Sequence, residues 1–135
     1  MNIVQPLRYR SWWIAGGVAM ALMVVTLSLL PAADLPSVQL WDKFEHALAY
    51  FALAAWFGGV ARPQRYLRVA LALVVLGIAV EFAQGAMGVG RTSDLHDVYA
   101  NVVGIALGLL VALLGVSGWM RGVERLCGVA LPAAD

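Results

Sequence analysis

A stripe of ionisable side chains stands at the start of the second apolar segment of the chain. Asp42, Lys43, His46 and Tyr50 recur at three- and four-residue spacing. On a helix that turns about 100° per residue, these positions fall within an arc of about 100°. A carboxylate, an ammonium group, an imidazole and a phenol on one face are suited to proton transfer or to binding a charged group.

Two further apolar segments carry polar residues in the same way. In each segment, polar residues and glycines share a helical arc of about 60°. The first set is Gly77, Glu81, Gln84 and Gly88; the second is Asp97, Asn101, Gly104 and Gly108, with Asp94 just before it. A charged side chain in a bilayer costs on the order of 3 kcal/mol, so it normally faces protein or water and often marks function. The three stripes together therefore predict a site.

The residue types allow acid and base chemistry at this site. The candidates for a general acid or base are His46, Glu81, Asp94 and Asp97. No recognised catalytic motif accompanies them, so whether the site is catalytic stays open. Lys43 and Arg91 are suited to bind an anion, because ammonium and guanidinium groups pair well with phosphate.

A metal site is the weaker interpretation of the same residues. His46, Glu81 and Asp94, with either His96 or Asp97, offer nitrogen and oxygen ligands that zinc or manganese accepts. However, His96 differs from its neighbours in helical phase, and no His-x-x-x-His spacing occurs. The single cysteine of the chain excludes a cysteine-based zinc site and an intramolecular disulfide. We expect no metal and no cofactor.

Purely structural roles also fit several of these residues. Asp94 is suited to cap the helix that follows it, and Asp97 in the first turn is favoured by the helix dipole. Tyr50 is suited to pack as a buried aromatic side chain. Gly104 and Gly108 form a Gly-xxx-Gly pair, whose favoured role is close helix packing within the bundle or between protomers.

The elements that carry these residues are long apolar segments. Of the 135 residues, 62% are hydrophobic and 13% are charged, and the mean hydropathy is +0.83, whereas a soluble domain is about a quarter charged. Crossing a membrane takes about 20 helical residues. Four segments qualify, at residues 12–30, 41–60, 66–87 and 97–119. They lack the period-two alternation of barrel strands. We predict an all-α integral membrane four-helix bundle that forms a single domain over residues 1–135.

Basic residues indicate the orientation of this bundle. Seven of the nine Lys and Arg residues fall on one side of it: Arg8, Arg10, Arg62, Arg65, Arg68, Arg121 and Arg125. The positive-inside rule then predicts that both termini are cytoplasmic and that the three polar stripes meet at the outer surface. The net charge of +1 gives no reason to expect a nucleic-acid partner. A secretory signal is the alternative for the first segment, but its apolar run exceeds the roughly 7 to 15 residues of a signal core.

Three pieces of sequence, in this order, resemble the VanZ-like family of small membrane proteins. They are WDKFEHALAYF at 41–51, EFAQ at 81–84 and RTSDLHD at 91–97, followed by Asn101 and Gly104. The resemblance covers roughly residues 38–110 and departs at 88–90, where GVG replaces a proline-containing turn. It implies a multi-pass protein of the bacterial inner membrane, related to a protein of low-level teicoplanin resistance, with no settled activity. The positions that it marks for ligand binding are Asp42, Lys43, His46, Tyr50, Glu81, Gln84, Arg91, Asp94, Asp97 and Asn101.

Three functions follow from these observations. The favoured one is an extracytoplasmic pocket that binds an anionic membrane lipid or a lipid-linked cell-envelope precursor, with Lys43 and Arg91 as phosphate partners. The second is an intramembrane enzyme acting on such a lipid, with His46 or Glu81 as acid or base. The third is a non-catalytic assembly subunit that pairs with itself or with another membrane protein through glycine-lined helices. The ligand, the reaction and the oligomeric state stay open.

Overall fold

The computed structural model describes residues 5–30, 39–87, 93–114 and 118–132. Over these ranges the chain forms five α-helices and no strands. They are α1 (Arg10–Ser28), α2 (Gln39–Val60), α3 (Tyr66–Met87), α4 (Leu95–Leu113) and α5 (Trp119–Leu126). A 3-10 turn at Pro63–Arg65 leads into α3. The predicted all-helical class is confirmed.

Three helical segments are long and apolar enough to cross a membrane. They are Arg10–Ser28, Pro63–Met87 and Leu95–Leu113. This is the pattern of a multi-pass membrane protein. α2 is also long, with 22 residues, but Lys43, Glu45 and His46 make its first turns polar. A membrane crossing by α2 therefore stays a prediction, while three helical segments among the described residues have the length and apolar composition of a membrane span.

One face of α3 exposes a row of apolar side chains, while two polar side chains near the end of the helix are buried. The exposed positions, spaced by three and four residues, are Leu67, Leu71, Val75, Ile78 and Phe82. Glu81 and Gln84, on the opposite face, are buried in the bundle. A helix at the surface of a soluble protein shows the reverse arrangement. An apolar outer face with polar side chains buried against the bundle suits a lipid environment, where polar side chains face the protein.

The closest helix pair in the fold is α2 with α4, and two glycines of α4 allow it. A Cβ atom at Gly104 would overlap the backbone carbonyl oxygen of Ala47. At Gly108, a Cβ would lie 2.5 Å from the carbonyl oxygen of Phe51 and 2.8 Å from the Cβ of Ala54. The two helix backbones therefore touch along this line. Both glycines contact α2 of the same chain, so this face of α4 is covered within the bundle.

The hydrophobic core lies between α2, α3 and α4. Its buried members include Leu53, Ala54, Leu73, Ile105 and Leu109. Tyr66, the first residue of α3, adds its ring to this core, and its hydroxyl donates to the carbonyl oxygen of Gly58 at 2.9 Å. This bond fixes the start of α3 against the end of α2.

The fourth predicted segment, residues 97–119, is divided in the structure. α4 begins at Leu95 and ends at Leu113, and Trp119 begins α5 instead of ending a membrane span. The described residues therefore hold five helices where the sequence predicted four. Hydropathy could not locate this break, because the sequence stays apolar up to Trp119. The bounds of α3 coincide with the predicted ones, and those of α1 and α2 differ by the few residues usual at helix ends.

A second cluster fixes α5 to the opposite end of the bundle from the polar stripes. Met120 of α5 packs on Leu7 and Val60. The rings of Trp13, Trp56 and Trp119 meet pairwise, with centroids 5.4 to 5.6 Å apart. The N-terminal segment, the end of α2 and α5 are thereby joined.

Candidate functional site

The first turns of α2, the last turns of α3 and the start of α4 come together at one end of the bundle. Side chains from all three helices meet there, as the three stripes of the sequence predicted. We define this polar site by seven residues: Lys43, His46, Tyr50, Glu81, Asp94, Asp97 and Asn101. Its outer part is half-exposed and its inner part is buried.

The outer part is a lysine held between two carboxylates. Lys43 Nζ lies 2.8 Å from Asp94 Oδ2 and 3.1 Å from Asp97 Oδ1. The side chains of Lys43 and Asp94 are each more than a third exposed, whereas that of Asp97 is buried. We call these three residues the outer triad. One positive charge faces two negative charges, so the triad as it stands is not a simple basic patch.

Asp94 has two roles in this arrangement. Its side chain caps α4, because Asp94 Oδ1 accepts from the backbone N–H of His96 at 2.9 Å. The same oxygen lies 2.7 Å from the ring Nδ1 of His96, an exposed side chain. The Lys43 ammonium, and then the amide and ring of His96, hold the pKa of the Asp94 carboxyl well below its usual range. Asp94 is therefore ionised in the folded protein at neutral pH.

Glu81 joins α3 to the cap of α4. Its Oε1 accepts a hydrogen bond from the backbone N–H of Asp94. The residue is only 4% exposed, so the acid predicted within the apolar run is indeed buried against protein. Its second oxygen, Oε2, is buried and has no hydrogen-bond partner among the described residues.

His46 and Asn101 form a buried pair across α2 and α4. His46 Nδ1 lies 3.2 Å from Asn101 Oδ1. An amide oxygen only accepts hydrogen bonds, so this contact requires the hydrogen on Nδ1. The Nε2 atom of a neutral His46 ring then carries the free lone pair.

Tyr50 lies beside this pair and completes the inner part. It is 1% exposed, and its hydroxyl has no hydrogen-bond partner within the described part of the chain. Gly77 of α3 faces the same place, since a Cβ there would lie 2.9 Å from Asn101 Nδ2 and 3.3 Å from the Tyr50 hydroxyl. The missing side chain of Gly77 leaves room for the polar atoms of Tyr50 and Asn101.

Among the other residues predicted for ligand binding, one lies away from the polar site, and two have side chains outside the described part of the chain. Gln84 is buried, but its Nε2 donates to the carbonyl oxygen of Ser28 at 2.8 Å and so fixes the end of α1. Asp42 lies in the first turn of α2. Arg91 lies outside the described residues. Among the described residues, no group of three or more His, Cys, Asp or Glu side chains is arranged to hold a metal ion.

Sequence reasoning missed one buried acid, Glu124 of α5. It is 2% exposed, and its carboxylate accepts from the backbone N–H groups of Arg8 and Tyr9 and from Trp13 Nε1, at 2.8 to 2.9 Å. Burial alone would raise the pKa of the Glu124 carboxyl, but these three hydrogen bonds outweigh it and lower the pKa below its ordinary value. The available signal was an acid four residues after Met120 in a short helix, which places both on one face.

Comparison of the chain with family models, with curated proteins and with solved structures gives no match.

Proposed function

We propose that this chain is a VanZ-like protein of the bacterial cytoplasmic membrane whose polar site binds the headgroup of an anionic lipid or of a lipid-linked cell-envelope precursor. In this proposal α2 is a fourth membrane crossing, both termini are cytoplasmic, and the polar site opens to the extracytoplasmic side. A link to glycopeptide response, such as to teicoplanin, follows from the sequence resemblance alone and belongs to the same proposal.

The observation that carries the proposal is the pair of buried polar atoms without partners. Glu81 Oε2 and the Tyr50 hydroxyl are both enclosed and both lack a hydrogen bond to any described residue. Leaving a buried polar group unpaired costs about 1–3 kcal/mol. A headgroup that entered the polar site and bonded to these atoms would recover that free energy. We call Glu81 Oε2 and the Tyr50 hydroxyl the inner pair.

The outer triad supports the anionic half of the proposal. An ammonium group has three hydrogens to donate, and Asp94 and Asp97 accept two of those of Lys43. The third is available to a phosphate oxygen at the half-exposed surface of the site. Arg91, which the sequence predicts as a second phosphate partner, stays a prediction.

One observation favours an intramembrane enzyme as the second candidate. The bond to Asn101 fixes the His46 tautomer and leaves Nε2 as an acceptor, which is the state a general base needs. An assembly role through Gly104 and Gly108 has less support, because both glycines already pack on α2.

Native mass spectrometry of the purified protein tests lipid binding without a guess at the ligand. We expect the wild type to retain a phosphate-bearing lipid and Glu81→Gln to lose most of it, because the amide replaces an oxygen of the buried carboxylate. Glu45→Gln is the matched control, since it makes the same change at an exposed acid of α2. Equal retention by both variants would contradict the proposed site. Turnover of the retained lipid by the wild type and not by His46→Gln would favour the enzyme.

A further inference from the structure

The inner pair differs in chemistry from the outer triad. The Tyr50 hydroxyl can donate and accept a hydrogen bond, Glu81 Oε2 accepts when the carboxyl is ionised, and Asn101 Nδ2 donates. All three residues are at most 4% exposed. The Tyr50 hydroxyl and Asn101 Nδ2 both lie against Gly77, and Glu81 follows Gly77 by one turn on the same face of α3.

This mixture of donors and acceptors selects among the groups that a lipid headgroup can present. A phosphate offers only acceptors and would be repelled by the Glu81 carboxylate. An ammonium group offers only donors and would leave Asn101 Nδ2 without an acceptor. A hydroxyl both donates and accepts, so it can bond to Glu81 and accept from Tyr50 or Asn101.

We infer that the inner part of the polar site, formed by Tyr50, Glu81 and Asn101 beside Gly77, binds a hydroxyl group of the headgroup whose phosphate binds at Lys43. The ligand class is a polyol phosphate, such as a phosphoglycerol or a sugar phosphate carried on a lipid. This inference rests on the proposed function and specifies its ligand. The two parts of the site then recognise two groups of one molecule.

Three lipids with identical acyl chains separate this inference from simple anion binding. Phosphatidylglycerol carries a phosphate and two hydroxyls, phosphatidylmethanol carries the phosphate alone, and phosphatidylethanolamine carries an ammonium group instead of hydroxyls. Their apparent dissociation constants are measured by titration of the delipidated protein in native mass spectrometry. We expect the wild type to bind phosphatidylglycerol about three- to tenfold more tightly than phosphatidylmethanol, as the loss of one buried hydrogen bond predicts.

Four variants test whether the preference for phosphatidylglycerol over phosphatidylmethanol arises in the inner part of the polar site. Tyr50→Phe removes one oxygen atom, and we expect it to reduce the preference for phosphatidylglycerol at least about twofold. Gly77→Ala adds a Cβ into the space beside Tyr50 and Asn101 and should reduce the preference to near one. Lys43→Gln should weaken both phosphate lipids and keep their ratio. Tyr99→Phe is the matched control, because this tyrosine is exposed on α4, and it should behave as the wild type.

The possible results distinguish failure of this inference from failure of the proposed function. Equal binding of phosphatidylglycerol and phosphatidylmethanol by the wild type would overturn the inference and leave the proposed function standing. Tighter binding of phosphatidylethanolamine would also overturn it, since an ammonium subsite would then be present. Binding of no lipid would overturn both. A Tyr50→Phe variant that loses thermal stability but keeps the lipid preference would assign the inner pair to a direct Tyr50–Glu81 bond and so contradict the inference.

Discussion

Glu81 Oε1 accepts a hydrogen bond from the backbone N–H of Asp94, the residue whose own side chain caps α4. Glu81 of α3 therefore holds the start of α4. The side-chain carboxylate of Asp94 in turn pairs with Lys43 of α2. The three helices are tied together at the end of the bundle where the polar site lies.

The cap of α4 can be separated from the ion pair by two substitutions at Asp94. Asp94→Asn keeps a side-chain oxygen that can cap the helix but removes the charge. Asp94→Ala removes both, and loss of an N-cap costs about 1 kcal/mol. We expect Asp94→Ala to lower the free energy of unfolding in detergent more than Asp94→Asn does. Equal losses for the two variants would show that the charge, and not the cap, fixes the start of α4.

The contribution of ionised Asp94 to the stability of the fold depends on pH. Comparison of the wild type with Asp94→Asn measures this dependence. The pKa of Asp94 in the folded protein lies below the ordinary value of 3.8, so the unfolded chain takes up the proton first as pH falls. The ionised carboxylate stabilises the fold above about pH 4, and the contribution is lost as pH falls through the folded-state pKa. The stability difference between wild type and Asp94→Asn should stay constant above about pH 5 and shrink in acid. A difference that grows in acid would contradict this sign.

Because Gly104 of α4 contacts the backbone of α2, we expect one added methyl group at this position to destabilise the fold strongly. Gly104→Ala must push α4 away from the carbonyl oxygen of Ala47, and overpacking of this kind costs about 1–3 kcal/mol. Gly122→Ala is the matched control, because a Cβ at this position of α5 meets no atom within 4 Å. It should be neutral or stabilising by up to about 1 kcal/mol, since alanine is the better helix former. Thermal unfolding followed by circular dichroism compares the two; similar effects would refute the close approach.

We also expect the stability of the fold to be sensitive to substitution of Glu124, which lies far from the polar site. Glu124→Gln keeps the size of the side chain but leaves one oxygen to accept from three donors. Hydrogen bonds to a charged group contribute about 1.5–3 kcal/mol, so we expect a loss of that size in the free energy of unfolding. Lipid retention at the polar site should not change in protein that stays folded. Glu45→Gln again serves as the control, and equal stability of the two variants would contradict the role of Glu124.

The proposed orientation can be tested with the native cysteine. Cys127 is the single cysteine of the chain and is exposed. If the C-terminus is cytoplasmic, a membrane-impermeant maleimide should label Cys127 only after the membrane is permeabilised. Ser93→Cys in a Cys127→Ser background should be labelled in intact spheroplasts, because Ser93 is exposed beside the outer triad. The opposite labelling pattern would invert the topology and place the polar site in the cytoplasm.

The helical period let the sequence predict much of the polar site. Glu81 and Asn101, for example, are polar residues within apolar runs. The repeat of 3.6 residues per helical turn then predicts which face of its helix each residue occupies. The partners across helices could not be predicted, because they depend on the register of one helix against another. The position of Lys43 between Asp94 and Asp97 is one such contact, and phosphate binding by Lys43 stays a prediction.

Two other features lay beyond sequence reasoning for different physical reasons. Gln84 shares the arc of Glu81, yet its amide reaches the last carbonyl of α1, a contact set by where α1 ends. The separate helix α5 was joined to the fourth span because hydropathy reports the polarity of a segment and carries little information on where a helix stops.

The central claim, that the polar site binds a lipid headgroup through its inner pair, is tested most directly by lipid retention in native mass spectrometry. The measurement compares wild type, Glu81→Gln and Glu45→Gln, purified side by side. We expect a phosphate-bearing lipid on the wild type and on Glu45→Gln, and its loss from Glu81→Gln. The same lipid at equal occupancy on all three proteins, or no lipid on any of them, would contradict it.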